Sequence, residues 1–197
     1  HGLLRRQRQM CIRDRVINTK YMVQAKLESK KRIGILGGTF DPAHIGHIKI
    51  SKVAKKILKL DKIIWAITSK NPFKDKSLIN IDKRIAFARK INLKNKFIEV
   101  KFYEKKIKSN KTIHLIKFLK KKSNELYFII GADNLINFHK WKNYKEILKI
   151  CKIIVFDRDG YKAKAIKSPV YKKYNRKSVE FIKFNKVKIS SSQLRKI

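Results

Sequence analysis

The sequence predicts an α/β protein with a Rossmann-like, open and mainly parallel sheet that carries helices on both faces. Short continuous apolar runs alternate with amphipathic stretches, and several of these runs end at glycine or aspartate. Continuous apolar runs are typical of strands buried on both faces, and their alternation with helices implies right-handed crossovers between parallel strands. Ligands bind such sheets at the carboxyl ends of the strands, where the motif-like loops of this chain fall.

The first strand and the first helix are the best-defined elements. Arg32–Leu36 is an apolar run that ends at Gly37-Gly38, which indicates a buried strand entering a tight turn. After Gly46, apolar residues recur at helical spacing to about Leu60. By the same criteria, later strands are predicted at 62–68, 97–102, 125–130, 151–156 and 178–184. Later helices are predicted at 82–91, from Ser109 or Asn110 to Lys121, around Leu135 to Trp141 and at 144–148, with a loop at 69–77.

The first 30 residues differ in composition from the rest. They use Arg where the remainder uses Lys, and they have basic residues without the apolar central region of a secretory signal. We expect residues 1–30 to be an atypical segment outside the fold, with Met22 as a candidate start, and residues 31–197 to form one domain.

The charge balance is strongly basic, with 52 Lys and Arg against 14 Asp and Glu and a formal net charge of +38. The lysines are scattered over every segment, which favours compositional drift over a dedicated nucleic-acid surface. A basic nucleic-acid-binding module stays open as an alternative. The two cysteines, Cys11 and Cys151, suggest neither a disulfide framework nor a zinc site and fit a reducing cytoplasm. No apolar run approaches the length that spans a bilayer.

A glycine- and histidine-rich turn joins the first strand to the first helix. Gly37 and Gly38 allow a bulky ligand to approach the backbone closely. The helix N-terminus that follows offers unpaired N–H groups to phosphate. His44 and His47 can both donate hydrogen bonds to phosphate oxygens, and Gly46 keeps the space between them open. The alternatives are a capped turn with two surface histidines, or a two-histidine metal pair, which normally needs a third ligand that no nearby Cys or His supplies.

These residues resemble a known signature. Gly38-Thr-Phe-Asp-Pro42 followed by His44-x-Gly-His47 resembles the first motif of the nucleotidyltransferase superfamily that includes class I aminoacyl-tRNA synthetases, and Ile189–Arg195 resembles its second motif. Within that superfamily, four further segments are similar to bacterial nicotinate-nucleotide adenylyltransferases, namely Asn71–Lys74, Gly131–Leu135, Phe138–Trp141 and Phe156–Tyr161. The resemblance covers Lys31 to Arg195, with the motifs in family order.

The resemblance implies an enzyme of NAD biosynthesis that transfers AMP from ATP to nicotinate mononucleotide, giving deamido-NAD and pyrophosphate. It implies Mg2+ that is bound by the ATP substrate, with no metal site on the protein. It implies no specific nucleic-acid partner and no membrane partner, and it is compatible with a homo-oligomer. Catalytic roles are implied for His44, His47 and Arg195. Binding of ATP is implied for Gly38, Thr39, Phe40, Gly46, Ile189, Ser191 and Ser192. Binding of the pyridine nucleotide is implied for Lys74, Thr112, Gly131, Asp133, Trp141 and Arg158.

Several of these residues have a purely structural alternative. Trp141 could belong to the core, Asp133 could cap a helix, and the serines 190–192 could do the same. The chain also departs from the family pattern. Where the family usually has Tyr-Thr-x-x-Thr, residues 111–115 of this chain keep only Thr112. The nearest functional alternative is a phosphopantetheine adenylyltransferase, whose closing motif can also carry three serines.

The chemistry agrees with the resemblance. A mononucleotide phosphate is already an anionic nucleophile at neutral pH, so the reaction needs no side-chain base. The catalyst must bring two anions together and stabilise the charge on the departing pyrophosphate, which requires positioning and hydrogen-bond donors.

Overall fold

A six-stranded sheet forms the centre of the protein in the computed structural model, which describes residues 30–70, 77–120, 125–157, 160–182 and 184. The strands are β1 (Arg32–Gly38), β2 (Lys62–Ile67), β3 (Ile98–Lys101), β4 (Glu125–Gly131), β5 (Lys152–Phe156) and β6 (Val179–Ile182). Their order is β3-β2-β1-β4-β5-β6, and every neighbouring pair is parallel. The predicted Rossmann-like parallel sheet is confirmed.

Helices occupy the connections between the strands. They are α1 (Ile45–Leu58), α2 (Ile81–Ile91), α3 (Glu104–Ile107), α4 (Thr112–Lys120), α5 (Ala132–Ile136), α6 (Tyr144–Ile150), α7 (Lys162–Ile166) and α8 (Pro169–Tyr174), with a 3-10 turn at Phe138–Lys140. In the described part of the chain, no helix combines the length and the apolar character needed to cross a membrane. Residues Lys31–Ile197 make up one compact unit.

The two faces of the sheet bury two separate hydrophobic clusters. Ile35 and Phe128 point to the face that α4 to α8 cover, whereas Trp65 and Ile129 point to the face that α1 and α2 cover. Both faces are apolar because successive side chains of a strand alternate between them. This is why the strands appear in the sequence as unbroken apolar runs, and the predicted helices on both faces are confirmed.

The strand order reverses at β1, and this reversal creates the crevice expected of an open α/β sheet. The chain passes from β1 outward through β2 to β3, then returns to place β4 on the other side of β1. The last register pair between these central strands is Leu36 with Ile129. Two residues further on, Gly38 and Gly131 therefore lie at the same level of the carboxyl edge.

Some short elements differ from the sequence-based predictions. The helix predicted from Ser109 or Asn110 begins only at Thr112, and the Ser109 hydroxyl accepts the Lys111 N–H at 3.2 Å instead. The predicted helical stretch from Leu135 to Trp141 is broken into α5 and the 3-10 turn. Helices α3, α7 and α8 were not predicted, because four- to six-residue helices are too short to show periodicity.

Candidate active site

The turn after β1 is anchored by Phe40. This residue has a left-handed backbone conformation, with φ of 49°, and its side chain is only 2% exposed. The ring stacks on Trp65 with centroids 4.9 Å apart and lies 4.8 Å from the ring of His47. Because the ring belongs to the core, Phe40 can present only its backbone to a ligand. The predicted backbone contact is compatible with this geometry.

His44 and His47 form a reciprocal cap at the start of α1. The N–H of Gly46 donates to Nδ1 of His44 at 3.1 Å, and the N–H of His44 donates to Nδ1 of His47 at 3.1 Å. A ring nitrogen that accepts a hydrogen bond carries no proton, so each neutral imidazole keeps its proton on Nε2. The two half-buried rings have centroids 4.0 Å apart. The arrangement therefore supplies two neighbouring Nε2–H donors at a helix N-terminus.

The first turn of α1 is fixed from beneath by a hydrogen-bonded chain. The Trp65 indole N–H donates to the Ser51 hydroxyl at 2.9 Å, and that hydroxyl donates to the His47 carbonyl oxygen at 2.8 Å. Ser51 and Trp65 are both fully buried. Strand β2 thus holds the backbone of the histidine turn in place.

Three charged residues hold the adjoining loops in place, namely Arg84, Asp41 and Glu104. The sequence analysis did not propose them as site residues. Arg84 on α2 is 3% exposed and donates to four backbone carbonyl oxygens. Burial lowers the pKa of Arg84, and the negative charges of Asp41 and Glu104 oppose that shift. No pattern in the sequence distinguishes Arg84 from Arg89, which lies on the same helix and is exposed.

Gly131 and Asp133 form a tight turn at the end of β4. A methyl group built on Gly131 would lie 2.4 Å from Oδ1 of Asp133, so any larger residue here would displace that carboxylate. Asp133 is in the first turn of α5, whose N-terminal cap is Gly131 and has no side-chain cap bond. The alternative of Asp133 as the helix cap is therefore wrong. The half-buried carboxylate lies against the glycine turn on the same edge as Gly38.

Trp141 and the helix that begins at Thr112 both pack on the face of the sheet opposite to α1. Trp141 is half-buried, with its ring 5.1 Å from that of Phe138 and edge-on to Phe128 at 6.0 Å. Thr112 is the half-buried first residue of α4. A 2.6 Å ion pair between Lys117 and Glu146 joins α4 to α6.

The structure does not describe every predicted site residue. Those that lie outside the described residues are Lys74, Arg158, Ile189, Ser191, Ser192 and Arg195. Among the described residues, no group of three or more His, Cys, Asp or Glu side chains is arranged to hold a metal ion.

Comparison with known proteins gives consistent matches. The family model for cytidylyltransferase-like proteins matches residues 35–197. A Pelagibacter ubique protein named "Probable nicotinate-nucleotide adenylyltransferase" is 63% identical over 171 residues, which cover 86% of this chain and 95% of the relative. A Methylorubrum extorquens protein of the same name is 39% identical over 133 residues, 66% of this chain and 71% of the relative.

The fold has solved counterparts. The structure of Plasmodium falciparum nicotinic acid mononucleotide adenylyltransferase complexed with NaAD matches with a TM-score of 0.64 at 22% identity. The match covers 84% of this chain and 83% of the Plasmodium chain. At this level of identity, the likeness concerns the fold alone.

Proposed function

Because the chain belongs to the cytidylyltransferase-like family and, within it, to the nicotinate-nucleotide adenylyltransferases, we propose that it transfers AMP from ATP to nicotinate mononucleotide. The products are deamido-NAD and pyrophosphate. The observation that carries the proposal is the pair of His44 and His47 rings at the N-terminus of α1, whose Nδ1 atoms accept backbone N–H groups and so assign the proton of each neutral ring to Nε2. They lie beside the central strand of a parallel sheet, at the edge where such sheets bind nucleotides.

The reaction is a displacement at the α-phosphorus of ATP. A phosphate oxygen of nicotinate mononucleotide forms a bond to that phosphorus, and the bond from it to the oxygen bridging the α- and β-phosphates breaks. Pyrophosphate leaves with the electron pair, and no proton has to be removed from the nucleophile. Negative charge grows on the departing group, so fixed donors directed at it lower the barrier.

The chain supplies these donors from its own residues. His44 and His47 donate to the phosphates through Nε2–H, and Gly38, Thr39 and Phe40 contact the nucleotides through the backbone. Gly46 is buried between the two histidines, and because it has no side chain it leaves the space between them open. We assign the opposite side of the triphosphate to Ile189, Ser191, Ser192 and Arg195, as the resemblance implies.

The pyridine nucleotide occupies the other side of the crevice in this proposal. Trp141 stacks on the pyridine ring, while Asp133 and the Gly131 turn contact the ribose or order the loop around it. The resemblance implies three further residues that bind the pyridine nucleotide, namely Thr112, Lys74 and Arg158. The half-buried position of Trp141 at the edge of the core supports this role, because a fully enclosed indole offers no face to a ligand.

Magnesium belongs to the substrate in this scheme. Mg2+ would be held by the phosphates of ATP and not by protein ligands, and it would neutralise part of their negative charge. The residues above act on the phosphates. The net charge of +38 also favours the approach of two polyanionic substrates.

A comparison of acceptors tests the proposal. Pyrophosphate release from MgATP would be measured with nicotinate mononucleotide, nicotinamide mononucleotide, phosphopantetheine and no acceptor. We expect nicotinate mononucleotide to give the fastest turnover. Faster release with phosphopantetheine, or release that is independent of an acceptor, would assign a different reaction.

A further inference from the structure

The buried guanidinium of Arg84 contacts three separate backbone segments at the carboxyl edge of the sheet. Its NH1 donates to the carbonyl oxygen of Thr39 at 2.6 Å and to that of Thr68 at 2.9 Å. Its NH2 and Nε donate to the carbonyl oxygens of Ser69 at 3.3 Å and Ile79 at 2.9 Å. One planar group therefore links the turn after β1, the loop after β2 and the segment before α2 and holds them at fixed distances from one another.

The acceptors of Arg84 are carbonyl groups and not a carboxylate. Among the described residues, no ion pair is formed by Arg84. Asp41 and Glu104 instead bind the same loops from either side. Asp41 accepts the N–H groups of Leu78 at 3.0 Å and Ile79 at 3.1 Å. Glu104 accepts the Ser69 N–H at 3.1 Å and the hydroxyls of Thr68 and Ser69.

A buried cation of this kind is costly, because its hydration is lost and an apolar side chain would fill the same space without that penalty. Its rigid fork of donors has one property that an apolar side chain or a lysine lacks. It fixes several acceptors at set distances and angles from one another. Geometry at the carboxyl edge is therefore what Arg84 supplies.

The contact with Thr39 fixes the direction of the next amide. In a trans peptide, the C=O and N–H groups point in opposite directions, and the only cis bond among the described residues is that between Asp41 and Pro42. Because the Thr39 carbonyl points inward to Arg84, the N–H of Phe40 points away from it. No described residue accepts a hydrogen bond from that N–H. The buried ring of Phe40 prevents the turn from rotating back.

We propose that Arg84 is a positioning residue for the adenylyl transfer, which holds the Thr39–Phe40 peptide so that the Phe40 N–H donates to a phosphate of ATP. This inference rests on the proposed function for its reaction, although its geometric part concerns ATP alone. Arg84 itself does not contact the nucleotide. It acts through the backbone of the phosphate-binding turn.

Substitution at Arg84 tests the kinetic consequence. Arg84→Lys keeps the charge but cannot reach four carbonyl oxygens, and Arg84→Met keeps an unbranched stem without charge or donors. We expect Arg84→Lys to lower kcat by about 100-fold, the scale of losing one transition-state donor, with the KM for ATP changed less than about threefold. The exposed Arg89 on the same helix is the matched control, and Arg89→Lys should behave as the unmodified protein.

A second measurement separates positioning from folding and from the choice of acceptor. With 15N-labelled phenylalanine, the Phe40 amide resonance should shift when MgATP is added, and the shift should disappear in Arg84→Lys. Absence of the shift in the unmodified protein, or its persistence in Arg84→Lys together with full kcat, would overturn the inference. A shift that depends on Arg84 in a protein that does not adenylylate nicotinate mononucleotide would support the positioning role and refute the proposed acceptor.

Discussion

The backbone N–H of His44 donates to Nδ1 of His47 across 3.1 Å, so the second histidine of the turn holds the start of α1 through one ring nitrogen, and in the proposed mechanism it serves the substrate through the other. The Nδ1 atom accepts the backbone N–H, while the proposed donation to phosphate uses Nε2. The two roles use different atoms of one ring and can be separated by substitution.

His47→Asn is expected to keep the cap and lose catalysis. The amide oxygen of Asn can accept the His44 N–H in place of Nδ1, but Asn has no donor at the position of Nε2. Turnover should fall by about 100-fold or more, with the free energy of unfolding changed by less than about 0.5 kcal/mol. His47→Ala should lose the same turnover and about 1 kcal/mol of stability in addition.

Pyrophosphate release and urea unfolding would measure the two effects, with the exposed Lys49→Ala on α1 as control. Near-normal turnover of His47→Asn would remove His47 from the mechanism.

The chain from Trp65 through Ser51 to His47 predicts an energetic coupling. Ser51→Ala leaves the buried indole N–H without its acceptor, which costs about 1–3 kcal/mol. In a Trp65→Phe background the same substitution should cost less, because no indole N–H is left unpaired. Urea unfolding of the two single variants and the double variant should give a coupling energy of about 1 kcal/mol. Additive effects would show that the hydrogen bond between Trp65 and Ser51 contributes nothing.

Gly131→Ala is expected to disturb the turn at the end of β4. The new methyl group would lie 2.4 Å from Oδ1 of Asp133, so the carboxylate must move. We expect a loss of about 1–3 kcal/mol of stability, as for overpacking elsewhere, together with a raised KM for the pyridine nucleotide. Gly38→Ala is the comparison, since its methyl group would make only an ordinary 3.5 Å contact with the Phe40 ring. If Gly131→Ala unfolds at the same urea concentration as Gly38→Ala, the clash is relieved at no cost.

The buried thiol of Cys151 predicts a loss of stability in alkali. Burial raises the pKa of this thiol to about 12, although the nearby Lys120 opposes the shift. In the unfolded chain the thiol ionises near its ordinary value of 9.0. Because the pKa of the thiol is higher in the folded protein than in the unfolded chain, its contribution to the free energy of unfolding is complete below about pH 9. That contribution decreases as the pH rises towards 12. The decrease amounts to at most about 1.4 kcal/mol per pH unit.

Urea unfolding at pH 8.5 and pH 10 would measure this decrease, in a Cys11→Ser background that leaves one thiol. Cys151→Ala should show a shallower fall in stability over the same interval, since only the thiol contribution is removed. Equal slopes for the two proteins would mean that the thiol ionises as readily in the folded state as in the unfolded one.

The sheet and the histidine turn could be predicted from the sequence because both depend on local patterns. The strands are unbroken apolar runs such as 126–130, and His44 and His47 are three residues apart at the start of the first helix. Helix α8 also carried a signal that was missed. Ser168 caps it by accepting the Tyr171 N–H at 3.3 Å, and Pro169 begins it.

The contacts of Arg84 could not be predicted in the same way. Its acceptors lie 5 to 45 residues away along the chain and are backbone carbonyl groups, which no side-chain pattern records. The helical pattern around 82–91 places Arg84 on a helix but gives no indication that its guanidinium is buried. The predicted roles of the residues beyond 184 remain predictions, because those residues lie outside the described part of the chain.

The central position of β1 has a consequence for synthesis of the protein. Its neighbour β4 lies about 90 residues later in the chain, as the pairing of Arg32 with Glu125 shows. At ribosomal rates of about 5–20 residues per second, the interval between their appearances is roughly 5 to 20 s. During that time an apolar strand has one unpaired edge. The nascent polypeptide should therefore be a good client for a ribosome-associated chaperone until residue 131 has left the ribosome.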